Sequence, residues 1–441
     1  MRVLAAGTGL LGRFAYLILT QIFVVGFGIG YWVITARLLP AHEIGLAAAA
    51  VSGSIFLSAV AILGVSSLVL VELARVPERE RRVVLLTGVV AACAASAVLA
   101  GVAWWLLLIA GSNVSATFRY LVHSPVSGLL IVAGTVGTTA GGIFDAASIS
   151  LGRSRVQLVR NMVSAGLRVL FVLGLVHLGV RSATGLLEAW AGSIGISLLW
   201  SPRVLVPRAQ GERLRLAPAR RVLRIYRSAA LRHHLLNLAI TSVSFFLPLL
   251  AAILLVPTDY AYFAVAQLIS STLMLVPALL AVSLFAERSE DEQALRGHIR
   301  RTLPIAATCA LLALAFLEPG AAIVLRVFGG DYASHGSSIL RLLLLGGLFY
   351  VVKDHFVAIR RAQGRLSEAA RTVAVMTCGE AALTALGGAL YGVHGLCAFW
   401  VLATLIEAVI FAPPVLRVLR KPVSTARVWP EPDRAGAASS Y

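Results

Sequence analysis

Residues 203–232 read RVLVPRAQGERLRLAPARRVLRIYRSAALR, nine arginines against a single acid, Glu212. Residues 1–202 before this stretch and 233–441 after it are strongly apolar, so it divides the chain into two halves. Its second part has helical spacing. Arg220, Arg221, Arg224, Arg227 and Arg232 share one face, and Val222, Leu223, Ile225, Tyr226, Ala229 and Ala230 take the other. A basic amphipathic helix of this kind lies in a membrane interface with its arginines toward anionic headgroups. The other reading is a solvated connector whose arginines only set topology. Both place the stretch in the cytoplasm.

The whole chain is 59% hydrophobic and only 13% charged, with a mean hydropathy of +0.88. So few charges cannot cover the apolar surface of a soluble domain, and the class is a polytopic membrane protein. The net charge of +18 does not indicate nucleic acid binding, because the basic residues sit in short loops between apolar runs. Cys93, Cys309, Cys378 and Cys397 all fall inside apolar stretches without a CxxC pair and read as small buried hydrophobes. No small-residue cleavage site follows Arg2 and Arg13, so no removed signal peptide is expected.

Twelve spans follow from the apolar runs: 14–36, 44–72, 83–110, 125–150, 161–179 and 185–205, then 235–256, 260–285, 303–328, 338–359, 372–392 and 394–417. The segments before span 1 and after each even-numbered span hold 31 of the 38 Lys and Arg, counting Arg203 and Arg417 at span ends. The opposite loops hold four: Arg37, Arg119, Arg181 and Arg326. The positive-inside rule then puts both termini in the cytoplasm of a multi-pass plasma (inner) membrane protein. The division expected is a six-helix bundle over 1–205, a basic linker over 206–234, a second six-helix bundle over 235–420, and a disordered tail over 421–441, rich in Pro, Ala and Ser.

The two halves repeat. Residues 152–205 begin GRSRVQLVRNMVSAGLRVLFVLGL and end LLWSPRVL; residues 364–416 begin GRLSEAARTVAVMTCGEAALTALG and end IFAPPVL. More weakly, ARLLPAHEIGLAAA at 36–49 echoes AILLVPTDYAYFAVA at 252–266. Six spans per unit is even, so the units share one orientation, related by an axis along the membrane normal, with a site expected between them near the midplane. The fold class is thus all-α, two six-helix bundles in a parallel pseudo-two-fold repeat around a central cavity.

The Gly-rich first span ending ARLLPAHEIG, followed by LGVSSLVLVELARVPERERR, resembles the polysaccharide flippase family over residues 12–82. These are the O-antigen, teichoic acid and exopolysaccharide translocases of the multidrug/oligosaccharidyl-lipid/polysaccharide exporter superfamily. The lipid II flippases of that superfamily typically have fourteen spans, and this chain has room for twelve. The resemblance implies a monomeric, V-shaped transporter without enzymatic activity. It would move an undecaprenyl-diphosphate-linked oligosaccharide from the cytoplasmic to the outer leaflet by alternating access. Spans 1, 2, 7 and 8 would line the cavity. The implied partners are that lipid-linked substrate, anionic membrane lipids and polysaccharide assembly enzymes. No cofactor is expected beyond a coupling ion, H⁺ or Na⁺.

No phosphate loop, HExxH or large outer loop is present in the sequence, so chemistry must come from ionisable residues within the spans. Arg168 in span 5 falls opposite Glu380 in span 11 in the repeat alignment, each roughly 10–12 Å into its span at 1.5 Å per residue. The pair is either a contact fixing each helix in its own half or a cavity-lining charge pair that binds substrate, Glu380 holding Arg168 at rest. Arginine pairs bidentately with diphosphate oxygens, which suits the implied substrate. Lys353, Asp354 and His355 near the inner end of span 10 form a second cluster, or a snorkelling triplet, with Asp145 of span 4 near the same depth. Arg341, Glu188 and Glu407 are weaker candidates. Glu72 and Arg75 are interfacial, and His177 and His394 read as loop-end residues. Gly26, Gly28 and Gly30 permit close packing of span 1, and Pro248 and Pro277 would bend spans 7 and 8. The rival function is an H⁺- or Na⁺-coupled multidrug exporter, whose cavity would be dominated by acids such as Asp145, Glu380 and Asp354. A third reading is a non-transporting assembly partner with an apolar interior.

Overall fold

The computed structural model describes residues 10–62, 64–122, 124–205, 245–283, 292–363 and 365–420. The basic helix expected within 206–232 and the tail from 421 lie outside them. The first half holds α1 (Leu10–Leu38), α2 (Ala41–Ala61), α3 (Val65–Glu72), α4 (Glu78–Val114), α5 (Ala116–Val122), α6 (Pro125–Ser150), α7 (Ser154–His177) and α8 (Ala183–Leu205). The second half holds α9 (Phe245–Leu254), α10 (Pro257–Ser283), α11 (Glu292–Arg326), α12 (Gly330–Ala362) and α13 (Leu366–Arg420). Among the described residues there is no strand. Among the described residues, eight helices are long and apolar enough to cross a membrane by length and composition.

Described helix covers at least part of each of the twelve expected spans, span 7 only from Phe245 on, with three differences. Span 2 is two helices, α2 and α3, because Gly64 between them adopts φ 75°, which only glycine reaches without strain. Spans 11 and 12 run together as α13, turned at Tyr391 and at Gly392, whose φ is 62°. Between spans 3 and 4 stands the short α5, which the apolar pattern did not indicate. Helices α4, α11 and α12 also run past the expected ends, since polar first turns such as Glu78–Arg82 carry no apolar signal but complete the backbone hydrogen bonding.

The described turns between crossing helices fall at two ends of the molecule. The arginine-rich end holds the Val76–Pro77 and Gly152 turns and the Gln363 end of α12. The opposite end holds Leu39–Pro40, α5, Leu178–Ser182, Leu255–Val256 and Gly329. At that opposite end one hydrophobic core runs through both halves, with Ile44 of α2, Leu187 of α8, Phe263 of α10 and Leu340 of α12 all buried in it. At the arginine-rich end the halves have separate cores. One is built on Leu73, Leu85, Ile143 and Leu205, the other on Ile299, Phe356, Val373 and Phe411.

The repeat extends to packing. The Trp190 ring of α8 lies where a side chain on Gly134 of α6 would stand, and the Trp400 ring of α13 lies where one on Gly346 of α12 would stand. Gly134 and Gly346 correspond at the same offset that sets Gly152 against Gly364. Each half uses a bare helix backbone to seat a tryptophan from its last span.

Candidate functional site

In the second half, Gly346, Tyr350 and Lys353 recur at helical spacing and share one face of α12. Glu380 lies in the first arm of α13, and Trp400 and Glu407, seven residues apart, share a face of its second arm. These three faces meet. The Lys353 ammonium donates to Glu380 Oε2 at 3.0 Å and to Glu407 Oε2 at 2.7 Å. Tyr350 O–H donates to Glu380 Oε1 at 3.1 Å, and Trp400 Nε1–H donates to the same oxygen at 2.8 Å. The ammonium also stands 4.8 Å from the centre of the Tyr350 ring, which stacks on Trp400. Lys353, Glu380 and Glu407 are 4%, 6% and 3% exposed. One ammonium between two carboxylates gives the trio a formal charge of −1.

Lys353 therefore does not snorkel. It is buried, and two carboxylates meet its ammonium. Glu407, ranked low from sequence, is a full member of the cluster. Its signal was its seven-residue spacing from Trp400, which places both on the face turned toward α12. Asp354 points the other way, into a cavity of about 260 Å³ that Gln267, Ser270, Met274, Tyr350 and Trp400 also line. His355 is fully buried, with Nδ1 2.8 Å from the Val351 carbonyl of its own helix, and belongs to neither group.

The first half carries a different arrangement. Asp145 of α6 accepts from Arg160 Nη2 of α7 at 2.8 Å, and Arg160 also donates to Asn161. Arg160 was not singled out in the sequence, since it sits only six residues into α7 and reads as a loop cation. Gly141 leaves the room: a side chain there would come within 3.1 Å of the Arg160 guanidinium. By the repeat offset, Gly141 is the counterpart of Lys353. Asp145 is thus occupied in tying α6 to α7.

Arg168 does not meet Glu380. The two hold equivalent positions, so each turns toward the interior of its own half, and Glu380 is taken by Lys353. Arg168 shares the inner face of α7 with Ser164 and Val172, both buried. Its guanidinium lies 5.6 Å from the Tyr31 ring of α1, and its Nε has no hydrogen-bond partner. No salt bridge to Arg168 occurs among the described residues. Helix α1 packs on α7 and also touches α10, so Arg168 lies one helix from the seam between the halves. Elsewhere, Arg341 pairs with Glu318 and Arg75 with Glu72 at the surface, and His394 bonds Ser338. Among the described residues, no three His, Cys, Asp or Glu form a group able to hold a metal ion.

No family model and no curated protein matches the sequence. Solved structures do match the fold. A multidrug resistance MATE family transporter of the MOP superfamily, in an inward-facing conformation, is similar at a TM-score of 0.65 and 15% identity, over 92% of this chain and 98% of that one. The lipid II flippase MurJ, inward closed, is similar at 0.70 and 14%, over 92% and 90%. A MOP superfamily transporter from Pyrococcus furiosus, described by a reversed polarity of its binding pocket, is similar at 0.54 and 16%, over 93% and 97%. At these identities the likeness is one of fold, and the chain has the all-helical fold of this transporter group.

Proposed function

We propose that this protein is a membrane transporter that flips a lipid-diphosphate-linked oligosaccharide from the cytoplasmic to the outer leaflet for surface polysaccharide assembly. The observation that carries the reading is the distribution of the cores: one core joins the halves at one end, and two cores keep them apart at the other. Such a body can rock about its joined end. With the arginine-rich end in the cytoplasm, the conformation described is closed outward, and the separated ends face the leaflet where a lipid-linked precursor is made. Residues 1–205 and 235–420 would act as the two moving units.

Arg168 supports the anionic substrate. It carries no carboxylate partner among the described residues, unlike Arg160 and Lys353, so its charge is free to pair with a diphosphate. Tyr31 holds the guanidinium by its ring, a contact that leaves the N–H groups available. The test is uptake of a fluorescent undecaprenyl-diphosphate oligosaccharide across reconstituted vesicles. Arg168→Ala should abolish flipping at a normal level of folded protein, and Arg168→Lys should impair it, because the bidentate geometry is lost. Normal flipping by Arg168→Ala would refute the assignment.

One observation favours a second reading, export of organic cations coupled to H⁺ or Na⁺. The second-half cavity joins the Asp354 carboxylate to the Tyr350 and Trp400 rings, a combination that suits a flat cation. Saturable, Asp354-dependent transport of ethidium, with no flipping of the lipid-linked sugar, would establish that reading instead.

A further inference from the structure

We propose that the cavity between α10 and α12 is a sugar subsite, built to hold one pyranose ring of the carried oligosaccharide against the Tyr350 and Trp400 rings. The inference rests on the flipping reading above. It gives the neutral part of the substrate a place, as Arg168 does its diphosphate. Gln267, Ser270, Ser271 and Met274 recur at helical spacing along one face of α10. Gly347, Tyr350, Val351 and Asp354 do so along one face of α12, and both faces line the cavity. The two helices close on each other at Gly347, where a side chain would come within 2.9 Å of Met274. At ~30 Å³ per water, the cavity of about 260 Å³ has room for about nine waters, or for a single sugar ring in their place.

The polar side chains of this cavity are available to an occupant. Ser271 and Thr272 turn their hydroxyls back onto the Leu268 carbonyl of their own helix. Gln267, Ser270 and Asp354 make no hydrogen bond and no ion pair among the described residues. They offer an amide that donates and accepts, a hydroxyl that does both, and a carboxylate that accepts. The aromatic side is the reverse. Tyr350 O–H and Trp400 Nε1–H are both given to Glu380, which lies outside the cavity, so the rings present carbon to the occupant. Lys353 holds Glu380 and Glu407 in turn, and the buried trio thereby fixes both rings.

A pyranose has the matching form, with C–H groups on its faces and hydroxyls around its rim. The C–H groups are drawn to the negative face of an aromatic ring, and the rim can satisfy all three polar side chains. A flat cation stacks equally well and suits Asp354, but it brings no acceptor for the Gln267 N–H groups or the Ser270 O–H. Covering those donors without a partner weakens binding. Gln267 and Ser270, beside Asp354, are what distinguish a sugar site from a cation site.

The test reads occupancy rather than transport. Ser271→Cys, in full-length protein lacking the four native cysteines, puts an exposed thiol in the cavity wall. Its modification by a small methanethiosulfonate is followed in detergent micelles. The probes are methyl glycosides of hexoses, N-acetylhexosamines and deoxyhexoses, and, separately, ethidium. At least one glycoside should protect the thiol saturably. Gln267→Leu and Ser270→Ala, each still monodisperse, should raise its half-protecting concentration by about threefold to tenfold, the loss of one net hydrogen bond. Protection by ethidium and by no glycoside would overturn the subsite in favour of a cation site. Protection by no probe, or glycoside protection that neither substitution weakens, would overturn it outright. Glycoside protection in a protein that moves no lipid-linked sugar would leave a sugar site and refute flipping. Flipping without glycoside protection would refute the subsite and leave the transport function standing.

Discussion

Lys353→Met is expected to destabilise the second half far more than any single neutralisation of its partners. The lysine side chain is 5% exposed and meets carboxylates that are 6% and 4% exposed. Methionine fills similar volume but leaves two acids facing each other without a cation. Breaking a buried ion pair on one side costs about 3–5 kcal/mol. At roughly 4 kcal/mol, the ratio of folded to unfolded protein falls about a thousandfold. Glu407→Gln removes one negative charge from a trio with one in excess, and its amide oxygen can still accept from the ammonium. Its cost should stay below about 1 kcal/mol, the value of one ordinary hydrogen bond. The triple change Lys353→Met, Glu380→Gln, Glu407→Gln should regain most of the loss, since an uncharged set carries no unpaired ion. Denaturation in detergent micelles, followed by tryptophan emission, reads all three, because Trp400 bonds directly to Glu380. If Lys353→Met costs no more than Glu407→Gln, the cluster is not held by its lysine and the reasoning is wrong.

Two further predictions concern packing and orientation. Gly346→Ala places a methyl group on the Trp400 ring and should cost about 1–3 kcal/mol by overpacking, and Gly134→Ala the same against Trp190; both are measured by the same denaturation, and a neutral effect would show that the rings move freely. Ser424→Cys, in the tail, should resist impermeant maleimide in intact cells and react after permeabilisation; labelling in intact cells would reverse the orientation taken from the arginine count.

The fold was legible because its signals are long. Apolar runs separated by arginines mark each crossing, and matching Gly-Arg starts at 152 and 364, each opening the last helix pair of a half, mark the repeat. The breaks were harder. Gly64 lies in an unbroken apolar run, and nothing in the pattern distinguishes a glycine at positive φ from one packed in a helix. The site was legible by composition but not by pairing. The repeat alignment sets Arg168 and Glu380 at equivalent places, yet equivalence by a two-fold axis would place residues apart, not together. The true partner of Glu380 comes from α12 of its own half, and that depends on how three helices face one another. Arg160 was hidden for a related reason: its importance lies in the empty space at Gly141, which no side chain announces.

The charges of the two halves have an electrical consequence. In the first half Asp145 and Arg160 cancel, which leaves Arg168 at +1; in the second half Lys353, Glu380 and Glu407 sum to −1, and Asp354 stands apart in the cavity. A unit charge crossing the whole membrane gains about 2.3 kcal/mol per 100 mV. In a symmetric swing of the proposed transporter, the work done by the transmembrane potential on Arg168 is undone on the trio, and Asp354 is the charge left over. Voltage dependence in the reset of the unloaded protein is thus expected to vanish in Asp354→Asn. Any dependence of transport on membrane potential would then report the charge of what is carried.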